Sequence, residues 1–280
     1  MISALANRII PNDVQTIAAK TGGLRHESPR KNRLGKSGAR VLAHGRDERR
    51  GREVAADIQA DGGKAVFLAA DFASLDEVRR LASEVAGAAD RLDILINNAG
   101  IGFGARGAGR QLSADGVELR FAVNYLAGFL LTESLLPLLE SSAPARIVNV
   151  ASAGQRAINF EDVMLEHGYD GQGAYCQSKL AQILYTFDLA TRLAGRGITV
   201  NCLHPATYMD TTMVRDSGIE PWSSVEDGAE AILRLAVSPD LEDVSGRYYN
   251  GLDEERAHEQ AYDAEARERL RALSLRLCGL

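Results

Sequence analysis

The sequence predicts a single α/β domain built on a doubly wound parallel sheet. Two observations predict this fold. Short apolar runs with the composition of buried strands alternate with segments of helical spacing along the chain. The length of 280 residues suits one such domain. In an open sheet of this kind, ligands bind at the edge formed by the carboxyl ends of the strands.

The composition argues against several classes of partner. The chain carries 32 Lys and Arg against 38 Asp and Glu, a net charge of −6, which does not suit a nucleic-acid or anionic-membrane surface. We find no run of 18 apolar residues and no signal-peptide pattern. Cys176, Cys202 and Cys278 have neither metal-ligand nor paired spacing, so reduced thiols are expected. We therefore expect a cytoplasmic protein with a small-molecule substrate and no nucleic acid, membrane or metal.

The first third of the chain alternates strands with helices after a lead-in of residues 1–13. Val54 and Ile58 recur at helical spacing before the stop signal Asp61-Gly62-Gly63. The predicted strands are Val14–Ala19, Ala39–His44 and Ala65–Ala70, and the predicted helices are Glu48–Ala60 and Leu75–Ala88.

The rest of the chain continues the alternation. The glycine-rich stretch 101–112 is expected to be a mobile loop, and Pro137 is expected to sharpen the end of a long helix. The predicted strands are Leu92–Ile96, Arg146–Ser152, Ile198–Leu203 and Gly246–Asn250, and the predicted helices are Ser113–Glu140, Ala174–Leu193 and Ser224–Val237. The charged helical tail Asp253–Leu280 covers either the pocket or a partner subunit, so a homodimer is one expectation.

A tyrosine and a lysine four residues apart carry the chemistry. Tyr175 and Lys179 share one face of a helix, and an ammonium group close to a phenol favours the phenolate. Such a phenol can exchange protons with an alcohol or a carbonyl. With 8 Tyr and 5 Lys in the chain, chance would produce about 0.1 such pairs. Ser152 ends a predicted buried strand, which places its hydroxyl at the edge where ligands bind.

Three segments together resemble the short-chain dehydrogenase/reductase family, in its retinol-dehydrogenase-like branch. They are Arg146–Ser152 with Ala174–Lys179, the turn Asn97-Asn98-Ala99-Gly100, and Asn124 within Phe121–Leu126. The likeness runs from about Ala39 to Tyr249, and Tyr175 follows Ser152 by 23 positions, more than in many members. The resemblance implies one Rossmann-type domain over residues 1–280.

The resemblance implies reversible hydride transfer between a nicotinamide cofactor and an alcohol/carbonyl pair, on a lipophilic substrate. Tyr175 would transfer the hydroxyl proton, while Lys179 would lower the pKa of that phenol and hold the nicotinamide ribose. Ser152 would donate a hydrogen bond to the carbonyl oxygen, and Asn124 would position a water in the proton relay. The implied cofactor-binding residues are Gly22, Arg46, Asp71, Asn98, Ala99, Gly100, Tyr175, Lys179, Pro205 and Thr207.

The end of the second strand predicts the choice of cofactor. Members that prefer NAD usually carry an acid there to bind the ribose hydroxyls. This chain has Gly45, followed by Arg46, which suits a 2′-phosphate. NADP is therefore expected, with NAD as the alternative. By resemblance Asp71 lies near the adenine, and capping of the next helix is the other interpretation.

Residues 24–36 depart from the family pattern. A glycine-rich turn and a helix with an apolar face are expected after Thr21-Gly22-Gly23. Between Arg25 and Ser37 the only large aliphatic residue is Leu34, so a helix there would bury almost nothing. Either the segment is a divergent basic loop that contacts phosphates, or it is a frameshifted stretch of the gene. The abrupt loss of pattern between well-matched flanks favours the frameshift. The basic residues concerned are Arg25, Arg30, Lys31 and Arg33.

Two further segments could shape the substrate site. The insert 153–173 carries Phe160, Met164, Leu165 and Tyr169, which either line a wall of the pocket or cover the sheet edge. Residues 205–224 correspond to the family's substrate lid. Their apolar composition indicates a lipophilic substrate.

The sequence leaves two other functions open. The missing glycine turn favours a non-catalytic binding protein, whereas the complete Asn/Ser/Tyr/Lys set favours the enzyme. An epimerase or dehydratase would use the same Tyr175 and Lys179, and the long insert argues against it. His204 has no accompanying nucleophile motif and is interpreted as a packed histidine.

Overall fold

The computed structural model describes residues 15–20, 39–105, 107–211, 214–215 and 218–280; for 15–20 and 39 the backbone alone is described. These residues form an eight-stranded sheet of order β3-β2-β1-β4-β5-β6-β7-β8. The strands are β1 (Gln15–Lys20), β2 (Ala39–Gly45), β3 (Lys64–Ala69), β4 (Ile94–Asn97), β5 (Ala145–Val150), β6 (Ile198–His204), β7 (Tyr248–Asn250) and β8 (Asp253–Glu254).

The helices connect these strands across both faces of the sheet. They are α1 (Glu48–Ala60), α2 (Leu75–Ala88), a π-helical segment Phe121–Leu126 continuing into α3 (Ala127–Ser141), α4 (Gly171–Arg192), α5 (Val225–Val237) and α6 (Ala264–Cys278), with short 3₁₀ turns at Pro239–Leu241 and Glu259–Tyr262. The helices α1 and α5 pack on one face of the sheet and form one apolar core with it, and α2, α3 and α4 form a second core on the other face. The predicted doubly wound arrangement is confirmed.

Capping side chains explain why several helix boundaries could be predicted. The bounds of α1 and α2 match the predicted ranges. Asp47 accepts from the Arg50 backbone N–H and Ser74 accepts from that of Glu77, each satisfying a donor that the first helical turn leaves unpaired. Ser224 and Asp227 form a reciprocal capping box at the start of α5.

The first strand corrects the expectation of a wholly parallel sheet. β1 runs antiparallel to both β2 and β4, whereas β2/β3 and β4/β5/β6/β7 pair in parallel. A parallel β1 would need a crossover helix before β2, and residues 24–36 lack the apolar face that such a helix buries. An antiparallel connection requires no crossover. The short β8 also pairs antiparallel, with β7.

The long helix that carries Asn124 begins later than predicted. An isolated bridge joins Leu112 to Glu118, so residues 113–118 form a turn instead of the first helical turns. Pro137 lies inside α3, one turn before its end at Ser141, so the expectation that it sharpens the helix end is wrong.

The C-terminal tail packs on the protein's own helices. The hydroxyl groups of Tyr125 and Ser274 lie 2.6 Å apart, and Arg271 donates to Asp188 of α4 at 2.8 Å. Gln260, just before α6, exchanges two hydrogen bonds with the backbone of Ile158 in the insert. The tail therefore covers α4 and one side of the insert.

One helix of the described part, Phe121–Ser141, is long and apolar enough to span a membrane by length and composition, and 61% of the residues in its most apolar window are buried within the fold. A buried core helix meets the same criteria.

Candidate active site

The carboxyl ends of the parallel strands bring the predicted site residues to one edge of the sheet. β2 ends at Gly45 before Arg46, β4 ends before Asn98, β5 ends shortly before Ser152, and β6 ends before Pro205. β1 runs the other way, and its last residue pairs with the first residue of β2. The last described residue of β1 therefore lies at the opposite edge, and Gly22 lies outside the described residues.

Asn124 connects the loop after β4 to the helix α4 through hydrogen bonds. Its Oδ1 accepts from the Ile101 backbone N–H at 2.7 Å, and its Nδ2 donates to the Ile101 carbonyl at 3.1 Å and to Ser178 Oγ at 3.0 Å. The residue is buried in the π-helical segment, a local widening often found at functional sites. These three hydrogen bonds fix the loop after β4 against Asn124 and α4.

Lys179 is buried and held by two acceptors. Its Nζ donates to the Val150 carbonyl at 2.9 Å and to Gln182 Oε1 at 2.9 Å. Burial lowers the pKa of this amine from 10.5 to about 7, because the charged form loses solvation. Gln182 was not among the predicted site residues, although its spacing of three from Lys179 on one helix face could have indicated it.

The pKa of Tyr175 moves in the direction opposite to the one expected. Burial raises the pKa of the phenol, and the hydrogen bond with Ser152 acts against that shift. Lys179 Nζ lies 5.9 Å from the centre of the tyrosine ring and is bound to other acceptors. Desolvation is therefore the main influence on the pKa of Tyr175, and the phenol is protonated at neutral pH.

Ser152 lies within reach of the same phenol. Its Oγ accepts from the Gly154 backbone N–H at 3.1 Å, which orients the hydroxyl at the end of β5. Its carbonyl accepts from the Tyr248 hydroxyl at 3.2 Å. Ser152, Tyr175, Lys179 and Asn124 thus lie together, as the sequence predicted.

Part of the candidate nucleotide site fits a nicotinamide cofactor. A Cβ at Gly100 would lie 3.2 Å from Asn124 Oδ1 and 3.5 Å from Lys179 Nζ, so the backbone there leaves space that a side chain would fill. Arg46 is exposed at the end of β2. The Asp71 carboxylate accepts from the Ala73 N–H, and Ser74 caps the helix, so the capping interpretation of Asp71 is wrong.

The segment after β6 contains a packed histidine and an exposed aromatic pair. His204 Nε2 lies 3.1 Å from Thr207 Oγ1, and burial lowers the pKa of this imidazole to about 4. Tyr208 has a φ of +45°, which is strained for a non-glycine residue, and its ring meets Trp222 edge-on at 5.0 Å. Residues 212–213 and 216–217 of the predicted lid lie outside the described part.

Two of the insert side chains considered from the sequence, Phe160 and Tyr169, contact charged side chains. The Phe160 ring packs beneath the Arg269 guanidinium of α6, at 4.7 Å from the ring centre. The Tyr169 hydroxyl bonds to the side chains of Arg120 and Glu118. Sequence reasoning missed Arg120 and Glu118, although two charged residues beside an apolar helix were a visible signal. Among the described residues, no group of three His, Cys, Asp or Glu side chains could hold a metal ion.

Curated relatives with similar sequences are retinol dehydrogenases. The chain is 38% identical to mouse retinol dehydrogenase 13 over 267 residues, which cover 88% of this chain and 78% of the relative. It is 40% identical to human retinol dehydrogenase 13 over 228 residues, covering 75% and 67%. Human retinol dehydrogenase 12 is 34% identical over 284 residues, covering 97% and 88%.

The family described as short chain dehydrogenase matches residues 30–221. A solved short chain dehydrogenase from Burkholderia cenocepacia in complex with NADP is 30% identical, with a TM-score of 0.61 over 79% of this chain and 89% of that one. The chain belongs to the short-chain dehydrogenase family, in the retinol-dehydrogenase-like branch. It is an NAD(P)-dependent oxidoreductase that interconverts an alcohol and a carbonyl. The relatives do not favour a non-catalytic binding protein.

Proposed function

We propose that the protein is an NADP-preferring reductase of lipophilic aldehydes or ketones, with retinal-like compounds as the substrate class. The joint placement of Ser152, Tyr175 and Lys179 at the carboxyl ends of β5 and β6 supports this function. Burial keeps the phenol of Tyr175 protonated at neutral pH, so it is prepared to give its proton to the oxygen of a carbonyl undergoing reduction. The Ser152 hydroxyl would donate to that same oxygen, where negative charge develops.

The nicotinamide half of the cofactor fits the described residues. Lys179 and the turn Asn98–Gly100 would hold the ribose and nicotinamide, beside Pro205 and Thr207. The bound cofactor would supply the hydride. At the other end, Arg46 would contact the 2′-phosphate. The NADP complex of the B. cenocepacia relative supports this preference.

The lipophilic substrate is inferred from the chain and from its relatives. The segment after β6 presents apolar surface through the exposed Tyr208 and Trp222, and it also contains the buried Met209. The relatives are named for retinol, an apolar alcohol. We also propose a cytoplasmic location, on the basis of the net charge of −6 and of three cysteines that form no disulfide. A homodimer without membrane attachment is the proposed assembly, which size measurement and vesicle flotation would test.

Replacement of the catalytic phenol tests this function. Tyr175→Phe should lower the turnover of retinal with NADPH by about 10²–10⁴-fold, because a positioned proton donor typically contributes that much. The affinity for NADPH, measured by fluorescence titration, should change little. Tyr185→Phe is the control, since that phenol lies on the same helix but binds Glu133. Turnover of Tyr175→Phe within a factor of two of the parent would show that Tyr175 is not the proton donor.

A further inference from the structure

A buried ionic cluster lies beside the active site and has no role in the chemistry described above. It consists of Glu118, Arg120 and Tyr169. The Arg120 and Glu118 side chains are only 3% and 1% exposed, with 3.4 Å between the guanidinium Nη1 and the carboxylate Oε1. Burying two charges carries a large desolvation penalty, so such a pair needs further hydrogen bonds in good geometry. The hydrogen bonds of this pair show which segments of the chain it holds together.

The cluster joins three separate segments of the chain. Arg120 donates from Nη1 to the Tyr169 hydroxyl at 2.8 Å and from Nη2 to the Phe103 carbonyl at 3.1 Å. Tyr169 donates to Glu118 Oε1 at 3.3 Å, and the other oxygen of Glu118 accepts from the Phe121 backbone N–H at 2.8 Å. The insert and the loop after β4 are thereby fixed to the helix that carries Asn124.

The backbone around Phe103 is held from two further directions. Two residues earlier, Ile101 exchanges two hydrogen bonds with Asn124. On the other side, a Cβ added to Gly171 at the start of α4 would overlap the Phe103 carbonyl oxygen. Gly104 has a φ of +81°, a conformation that glycine adopts without strain. These contacts leave the Phe103 backbone little freedom to move.

The ring of Phe103 lies against the catalytic tyrosine. The ring centres of Phe103 and Tyr175 are 6.1 Å apart and the planes are nearly perpendicular, at 84°. Such an edge-to-face arrangement is favourable between aromatic rings. Phe103 is partly exposed, so it presents apolar surface next to the group that transfers the proton.

We propose that Phe103 determines substrate specificity by contacting the apolar group attached to the reacting carbonyl, and that the cluster of Glu118, Arg120 and Tyr169 positions it. This inference rests on the function proposed for the site. The substrates it favours are aldehydes and ketones whose carbonyl bears a planar, conjugated substituent, because an aromatic ring offers stacking surface to such a group. The long insert takes part through Tyr169, whose hydroxyl reaches the cluster.

Paired substrates test the role of Phe103. Phe103→Ala should reduce kcat/KM for benzaldehyde about three- to tenfold relative to that for acetaldehyde, at NADPH concentrations that saturate the rate. The control is Phe160→Ala, which removes a partly buried ring of the insert that packs on Arg269 instead. An unchanged ratio for Phe103→Ala, or an equal change in Phe160→Ala, would overturn the specificity role.

Hydrogen exchange tests the cluster without cofactor or turnover. Tyr169→Phe removes one donor to Glu118 and one acceptor from Arg120, so the amides of residues 101–105 should exchange about fivefold faster, while those of β5 do not change. The benzaldehyde preference should fall in the same direction as in Phe103→Ala. Tyr185→Phe is the matched control, because its hydroxyl also donates to a glutamate, Glu133. Unchanged exchange at 101–105 would overturn the positioning role.

The two measurements separate this inference from the proposed function. A parent protein that reduces neither aldehyde nor retinal overturns the proposed function, and with it the substrate contact of Phe103. The exchange experiment still decides in that case whether the cluster holds the loop. A parent that reduces both aldehydes, with an unaltered preference in Phe103→Ala, overturns only the specificity role.

Discussion

Burial shifts the pKa values of Tyr175 and Lys179 in opposite directions, because a phenol is charged when it is deprotonated and an amine is charged when it is protonated. Burial disfavours whichever form of a side chain is charged. It therefore raises the pKa of the phenol and lowers the pKa of the amine to about 7. At neutral pH the tyrosine keeps its proton while the lysine is close to half-protonated, which suits the proton donation that we propose for Tyr175.

Arg46 is the residue on which the cofactor preference depends. We expect Arg46→Ala to weaken the binding of NADPH about ten- to hundredfold and to leave that of NADH nearly unchanged, because only NADPH carries the 2′-phosphate. Fluorescence titration of both cofactors measures the two affinities. The neighbouring exposed Arg49→Ala is a suitable control, since Arg49 pairs with Glu53 on α1. Equal weakening of both cofactors by Arg46→Ala would mean that Arg46 supports the fold and does not select the cofactor.

His44 should make the fold sensitive to acid. It is buried on β2, its ring stacks on Phe72 at 4.3 Å, and burial lowers its pKa from 6.5 to about 3. Because the folded pKa lies below the unfolded one, the unfolded state binds more protons, and stability falls as the pH drops below 6.5. Between pH 7.5 and 5 this contribution is about 2 kcal/mol.

Substitution of that histidine isolates its contribution. His44→Leu should remove about 2 kcal/mol of the stability lost between pH 7.5 and 5, as measured by urea unfolding at both values. His167→Leu should leave the loss as in the parent, because the His167 side chain is 91% exposed. A His44→Leu protein with the parent's acid sensitivity would show that other groups cause it.

At the scale of elements, the C-terminal helix α6 is held by buried polar contacts as well as by apolar ones. Ser274 donates to the Leu270 carbonyl at 2.8 Å, which uses its one hydroxyl proton. The hydrogen bond of 2.6 Å between Tyr125 and Ser274 must then be donated by the tyrosine. Both residues are buried, so the two substitutions that break this bond should have unequal effects.

Ser274→Ala should lower the free energy of unfolding by about 1–3 kcal/mol, because it leaves the buried Tyr125 hydroxyl without an acceptor. Tyr125→Phe should cost less, since Ser274 keeps its bond to Leu270. In the double variant the loss should be smaller than the sum of the two single losses. Urea unfolding of all four proteins checks this, and additive losses would contradict the assigned donor and acceptor.

At the scale of the whole molecule, the direction of β1 decides at which edge of the sheet that strand ends, and this edge is not the one with the candidate nucleotide site. In an open parallel sheet, the turn after the first strand faces the pyrophosphate. Here β1 leads to the opposite edge, where Lys20 pairs with Ala39. The sheet therefore keeps the strand order 3-2-1-4-5-6-7 of a dinucleotide-binding fold, with its central strand reversed.

Replacement of residues 24–36 should change both the cofactor affinity and the stability of the protein. We expect the chain as it stands to bind NADPH only weakly, so that turnover and titration require high concentrations of the cofactor. Substitution of a Gly-x-x-x-Gly-x-Gly turn and an amphipathic helix should restore binding and raise the melting temperature together, because a buried helix face contributes several kcal/mol at about 25 cal/mol per Å². Micromolar NADPH binding by the unmodified chain would show that the basic segment is a working phosphate site.

The sequence indicated the candidate catalytic residues and most of the elements for local reasons. The bounds of α1 and α2 follow from capping side chains and helical spacing, both of which are written in neighbouring residues. Ser152 could be placed at the ligand-binding edge because parallel strands end there, and helical spacing could place Tyr175 and Lys179 on one face of a helix. Capping residues, helical spacing and strand ends can all be read from the sequence without knowing which distant side chains are in contact.

Only the tertiary structure decided what depends on contacts between distant residues. The antiparallel direction of β1 is a choice of pairing partners, and neither its strand-like composition nor its length encodes it. The raised pKa of Tyr175 results mainly from burial by surrounding elements, which helical spacing alone does not reveal. The cluster of Glu118, Arg120 and Tyr169 joins residues about 50 positions apart. Spacing rules along one helix cannot reveal such a contact, because the fold alone brings these side chains together.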